Sequence, residues 1–372
     1  MKVCVVSHAY VTPVNHDKLR ALAAMDGIDL TLLIPDTWRT ATSLLALPPM
    51  QVPYVVARSP ITRNGRIGAY RYRDLGAVRR GRPDVIHAEV EPWSLAAFQL
   101  VRAAAGTPVV VFTWENLEGP RRLASRAVER LVLRSARHVI AGNEGARARM
   151  RRRGVPDARL SVLPQLGIDV DRFAGGDPAR ARAAGAPAAE GAFVVGFIGR
   201  VVPEKGVDTL VEAVEKLAAR LLVVGDGADL TALRTRTADW PAGKATFAGG
   251  VHDADVPHYL ACMDALVLPS RTTPSWAEQF GHVLIEAMAA GVPVVGSSSG
   301  AIPEVIGEAG LIFTEGDADG LRTRLQELLD QPSLRARLIA SGRARVERRY
   351  TSARVAAAQV EIYRRLVPDF PR

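Results

Sequence analysis

The sequence predicts an α/β fold made of two doubly wound, parallel-sheet domains, and three observations carry that expectation. Short apolar runs alternate with helical patterns along nearly the whole chain, the rhythm of parallel strands joined by crossover helices. At 372 residues, 48% of them hydrophobic, the chain exceeds the size at which a single core stops growing. The alternation is broken once, from about Gly167 to Ala192, by GIDVDRFAGGDPARARAAGAPAAEGA, rich in Gly, Ala and Pro. Residues 1–170 and 190–350 are therefore expected to form separate domains of similar design, facing a cleft.

In the first half the expected strands are Val3 to Val6, Leu30 to Ile34, Val52 to Ala57, Asp84 to His87, Pro108 to Phe112, His138 to Ala141 and Leu160 to Leu163, each followed by a loop or helix. In the second they are Phe193 to Ile198, Leu221 to Val224, Ala245 to Ala248, Ala265 to Leu268, Val292 to Val295 and Leu311 to Phe313. Helical patterns close the chain at Asp317 to Leu329, Ser333 to Arg348 and Thr351 to Leu366.

Two cysteines, Cys4 and Cys262, with no C-x-x-C spacing fit a reducing compartment. The start MKVCVVSHAY is too short an apolar run for a secretory leader, and no eighteen apolar residues run together, so the expected location is cytoplasmic. The net charge of +9 sits in the front half, where residues 1–175 hold 26 Lys and Arg against 15 Asp and Glu. Arg122, Arg126, Arg130 and Arg134 repeat every four residues beside Leu123, Ala127 and Leu131, a stripe on one helix face. Such a face suits an anionic membrane surface, which would make the protein peripheral at the inner membrane face. The other reading is a solvated face, since 43 of the 48 basic residues are arginine. Without interleaved aromatics or a reading motif, nucleic acid is not an expected partner.

Glu278 and Glu286 lie eight positions apart in TTPSWAEQFGHVLIEAMAAGVPVVGSSSGAIPEVI. The pattern reads as strand, loop, helix, strand, with Gly281 opening the helix and Gly291 closing it. Glu278 then falls in a loop at a strand's carboxyl end, where open parallel sheets place ligands, and Glu286 a turn into the helix among apolar neighbours. A charge there needs a partner. Amides near Phe280, Gly281 and His282 suit a pyrophosphate, and each carboxylate can accept hydrogen bonds from a vicinal diol. Alternatively Glu286 forms a buried ion pair and Glu278 is a solvated loop residue.

About eighty residues earlier, FVVGFIGRVVPEKGVDTLVEAVEKL runs from a strand through Gly199, Arg200 and a Pro203 turn to Lys205, which opens a helix. Two cations at a strand's carboxyl end can neutralise a departing diphosphate without a metal. The bland reading pairs Lys205 with Glu204 or leaves it capping an exposed turn.

Together GRVVPEKGVD and EQFGHVLIEAMAAGVPVVGSSSGAIPEVI resemble the signature of retaining GT-B glycosyltransferases of family 4, with their E-x7-E element. The resemblance extends over nearly the whole chain and implies two Rossmann-like domains, with the segment 351–372 crossing back to the first. It implies transfer of a hexose-type sugar from a nucleoside diphosphate sugar, with retention, to an acceptor hydroxyl on a small molecule, lipid-linked compound or glycan. No cofactor or metal is implied. By this likeness Arg200 and Lys205 hold the diphosphate, Glu286 the ribose, and Glu278 with the Phe280 and Gly281 amides the sugar. The loop GDGADL, with Gly225 and Gly227, approaches the nucleotide.

The first domain resembles the family less. SHAYVTPVNH replaces the usual Gly-rich first loop, and TWENLEG stands where relatives often carry a His. His8, Glu115 and Asn143, each following a strand, are the acceptor-side candidates, against capping or surface roles. His87 ending its strand fits a satisfied core histidine. GDGADL lacks the third Gly of a dinucleotide fingerprint, which argues against a dehydrogenase. The D-x-D strings at Asp169/Asp171, Asp253/Asp255 and Asp317/Asp319 fall in the linker, a loop and a helix start, and are not expected to hold metal. A sugar-nucleotide epimerase, a phosphorylase of the same fold, and a non-catalytic basic membrane-binding protein remain the competing readings.

Overall fold

The computed structural model describes residues 1–40, 43–119, 122–186 and 191–367. The expected linker and the expected last segment, 351–372, each extend partly outside them. The chain divides into two compact units, Met1–Gly167 with the segment from Ser352 onward, and Ile168–Thr351.

The first unit holds strands β1 (Lys2–Val6), β2 (Asp29–Pro35), β3 (Val55–Ser59), β4 (Val85–Ala88), β5 (Val109–Thr113), β6 (His138–Ala141) and β7 (Leu160–Val162). They form one parallel sheet in the order β7-β6-β5-β4-β1-β2-β3. The second unit holds β8 (Phe193–Ile198), β9 (Ala219–Val224), β10 (Ala245–Gly249), β11 (Ala265–Leu268), β12 (Val294–Ser297) and β13 (Leu311–Phe313), parallel in the order β10-β9-β8-β11-β12-β13. In both sheets the chain builds outward from its first strand, then returns to add the fourth on that strand's other side. This reversal creates a switch point at the carboxyl ends, between β1 and β4 and between β8 and β11.

Burial on both sheet faces explains why the strands read as unbroken apolar runs. Cys4 and Val6 of β1 enter one cluster with Leu33, Ile86, Val111 and Val139. Val3 and Val5 enter another with Leu32, Val110 and Ile140, which is completed by Leu19, Leu22 and, from the helix Ser352–Leu366, Ala356, Val360, Ile362 and Tyr363.

Two strands begin two or more residues later than their apolar runs suggest. The run from Val52 contains Pro53, which has no amide for the ladder, and pairing with β2 starts at Val55. Pro293 similarly delays β12 to Val294. Two antiparallel hairpins, Trp38–Arg39 with Leu44–Leu45 and Ile61–Thr62 with Arg71–Tyr72, were not anticipated. Among the described residues, no helix is long and apolar enough to cross a membrane.

Candidate functional site

In the second unit the loops after β8 and β11 meet at the switch point. The Arg271 amide donates to the Glu204 carbonyl at 2.8 Å. Gly206 has φ +63°, and a Cβ there would stand 2.2 Å from the Pro269 carbonyl oxygen, so only glycine fits without displacing backbone. The turn Pro203–Lys205 delivers Lys205 into this junction. Its Nζ lies 2.5 Å from Glu278 Oε2 and 5.0 Å from the Trp276 ring centroid. Ser270, fully buried, donates its hydroxyl to the same Oε2 at 2.8 Å.

Glu278 is therefore a buried carboxylate, not the solvated loop residue of the bland reading. The Lys205–Glu204 pair of the bland reading is also absent among the described residues. Glu204 instead faces Arg200 at 3.5 Å, and the Arg200 side chain is 63% exposed. Lys205 turns inward because Glu278 and Trp276 together offer a cation more than a surface carboxylate does.

The glycine loops lie against each other. The Gly199 amide donates to Val224 O, the Val201 amide to Asp226 O, and the Asp229 amide back to Val201 O. A Cβ on Gly225 would stand 1.8 Å from Gly199 O, and one on Gly227 2.2 Å from Val201 O. The close approach is a backbone requirement.

Gly281, at φ +83°, starts the helix His282–Ala290. Phe280 is buried against the edge of Tyr350, centroids 5.6 Å apart, and lies 4.8 Å from the His282 ring. Burial pushes the His282 imidazole down to about 4 against the opposing pull of Glu278, so the ring is neutral at pH 7. Glu286 is half-buried and has neither hydrogen bond nor ion pair among the described residues. Burial pushes its carboxyl up to about 7, with Arg172 opposing and Asp253 adding to the rise.

In the first unit, the segments after β1 and β4 flank the switch point. His8 lies 4.2 Å from the Trp38 ring and edge-on to Tyr70, and its buried Nδ1 has no hydrogen-bond partner among the described residues. Burial lowers its pKa to about 4. Glu115 pairs with the buried Arg149 at 3.3 Å. Asn143 caps the helix Glu144–Arg152, accepting from the Ala146 amide at 2.7 Å, and donates to Trp114 O at 3.1 Å, so its capping reading is the observed one. His87 is buried with Nδ1 2.6 Å from the Tyr363 hydroxyl.

Four polar residues at these edges were missed in the sequence. Ser270 and Trp276 reach the Lys205–Glu278 pair. Glu89 is fully buried against Lys18 and accepts from Tyr10 and Gln165. Glu91 accepts from the Thr113 hydroxyl at 2.7 Å and the Trp114 amide at 3.0 Å, and burial, reinforced by Glu115, raises it to about 7. The string HAEVEPW, with two glutamates directly after a strand, was the available signal for the last two. Asp169 and Asp317 of the D-x-D strings act as helix N-caps. Among the described residues, no group of three or more His, Cys, Asp or Glu is placed to hold a metal.

Residues 182–345 match the family of glycosyl transferases group 1, and residues 11–165 a glycosyl transferase 4-like domain. The phosphatidyl-myo-inositol mannosyltransferase of Mycolicibacterium smegmatis is 32% identical over 342 residues, covering 86% of this chain and 83% of that protein. The GDP-mannose-dependent alpha-(1-6)-phosphatidylinositol monomannoside mannosyltransferase of the same organism is 34% identical over 198 residues, 50% of this chain and 52% of that one. The chain thus spans about half the length of this curated relative. The fold matches HepE of Anabaena, solved in complex with UDP, with a TM-score of 0.72 at 19% identity over 97% of this chain and 99% of that one. It also matches a glycosyltransferase of Rickettsia africae, TM-score 0.74 at 14% identity over 99% of each. The chain belongs to the group 1 glycosyltransferases of family 4 and carries their GT-B pair of Rossmann-like sheets.

Proposed function

We propose that the protein transfers a hexose-type sugar from a nucleoside diphosphate sugar to an acceptor hydroxyl, with retention of configuration at the transferred carbon. The observation that carries this reading is the meeting of Lys205, Glu278 and Ser270 where β8 and β11 diverge. Lys205 and the more exposed Arg200 would neutralise the diphosphate as it departs with growing negative charge. Glu278 would orient the sugar ring, and Glu286, which makes no hydrogen bond or ion pair among the described residues, would accept the ribose hydroxyls. The Gly225–Gly227 loop would approach the nucleotide. In a front-face route the leaving phosphate takes the acceptor proton, and no protein base is needed. No metal is called for.

GDP-mannose is the first donor to test, because the relatives at 32–34% identity include GDP-mannose-dependent and phosphatidylinositol-directed mannosyltransferases. A lipid-linked acceptor agrees with the helix Leu123–Ser135, where Leu123 and Leu131 are exposed beside Arg122, Arg126, Arg130 and Arg134. That face would hold the protein peripherally on anionic lipid, at the cytoplasmic side. His8, Glu91 and Glu115 would meet the acceptor.

The deciding measurement is thermal stability with GDP, UDP and ADP, followed by turnover with the matching sugar nucleotide. A ligand at 100 times its dissociation constant should add about 2.7 kcal/mol. No response to any of the three would refute the donor assignment, and conversion of donor without acceptor would point to an epimerase.

A further inference from the structure

We propose that Glu278 makes the site distinguish an intact sugar nucleotide from the bare nucleoside diphosphate, by claiming the Lys205 ammonium whenever no sugar ring is present. This rests on the reading that Lys205 grips the donor diphosphate. The two groups are 2.5 Å apart with their side chains only 14% and 8% exposed, and the Trp276 ring flanks the ammonium. The Ser270 hydroxyl donates to the same carboxylate oxygen, a second restraint on Glu278.

Any diphosphate that enters must draw the ammonium towards itself. Doing so strips a buried carboxylate of its cation, a costly change unless new donors replace it. A sugar nucleotide brings them, because the ring hydroxyls it carries can donate to Glu278. The nucleoside diphosphate left after transfer brings none and adds a second anion competing for the Lys205 ammonium. The penalty therefore falls on product and spares donor. The ion pair acts as a specificity determinant that limits product inhibition and favours release.

Calorimetric titration of the full chain with GDP and GDP-mannose, and with UDP and UDP-glucose, tests this using whichever pair the unaltered protein binds. Glu278→Gln keeps the shape and removes the charge. It should tighten nucleoside diphosphate binding roughly tenfold or more while leaving sugar-nucleotide binding unchanged or weaker, so the ratio of the two constants collapses. In a Lys205→Ala background the same change should give no gain. Lys205→Ala alone checks the underlying reading: unaltered diphosphate affinity there means Lys205 does not hold the phosphates. Where Lys205→Ala does weaken binding, an unchanged diphosphate constant in Glu278→Gln overturns the specificity role. Should that variant not fold, Glu278→Asp retracts the carboxylate by one methylene, and an unaltered ratio in it overturns the proposal equally. Failure of the unaltered protein to bind either pair removes both the reading and the inference.

Discussion

Ser270 and Glu278 are joined by a 2.8 Å hydrogen bond in which the serine hydroxyl donates to the oxygen that also receives the Lys205 ammonium. Ser270 is itself anchored, since its carbonyl accepts from the Ser297 hydroxyl at 2.5 Å. Removing the hydroxyl takes one charge-assisted bond, worth about 1.5–3 kcal/mol, from the carboxylate that would orient the sugar. Ser270→Ala should lower kcat by at least about tenfold. Equal kcat in the variant and the parent would show that this contact does not position Glu278.

Glu286 leads to a pH prediction. Its carboxyl has a folded pKa of about 7, above the ordinary 4.5, so the folded state binds the proton more tightly than the unfolded chain. Stability from this group is fully present below about 4.5, falls as pH rises to about 7, and is flat beyond. Glu286→Gln should therefore gain roughly 1–3 kcal/mol over the parent at pH 8, a margin that shrinks towards pH 5. The same variant should bind nucleotide more weakly, having lost a charged acceptor for the ribose hydroxyls. A stability difference constant from pH 5 to 8 would contradict the raised pKa.

Gly227 has φ +158° with its Cα close to Val201 O. Alanine there forces a backbone shift in the two loops proposed to meet the nucleotide, at a cost of about 1–3 kcal/mol. Thermal denaturation of Gly227→Ala should show that loss, and added nucleoside diphosphate should no longer raise the midpoint. A full ligand response would remove this loop from the binding surface.

Leu123 is 82% exposed and Leu131 49%, on a helix that also exposes Arg126, Arg130 and Arg134. If that face rests on lipid, replacing both leucines by Glu should lower cosedimentation with phosphatidylserine-containing vesicles severalfold and leave turnover on a water-soluble acceptor analogue unaltered. Equal vesicle binding by the variant would return the arginine stripe to solvent.

What the sequence disclosed was local. The strand rhythm, the glycine-opened helix after Glu278 and the helix after Lys205 each lie within a few tens of residues, where periodicity and turn chemistry speak directly. What it concealed was pairing across distance. Lys205 meets Glu278 from 73 residues away, and Lys18 meets Glu89 from 71. Charge patterning within the turn instead suggested Glu204 for Lys205. Ser270 reads as an ordinary turn residue, and only the folded course of the loop after β11 brings it against a carboxylate eight residues further on. Prolines at 53 and 293 carried the information on where β3 and β12 begin, but the apolar runs around them masked it.

The helix Ser352–Leu366 places Val360, Ile362 and Tyr363 in the same core cluster as Val3 and Leu19. On a ribosome, the portion translated first must wait, with an apolar flank uncovered, until the helix Ser352–Leu366 emerges. The second unit, continuous from Ile168 to Thr351, has no such dependence. Maturation thus runs against the order of synthesis, and a chain stopped short of Ser352 would leave its opening portion sticky and its later portion sound.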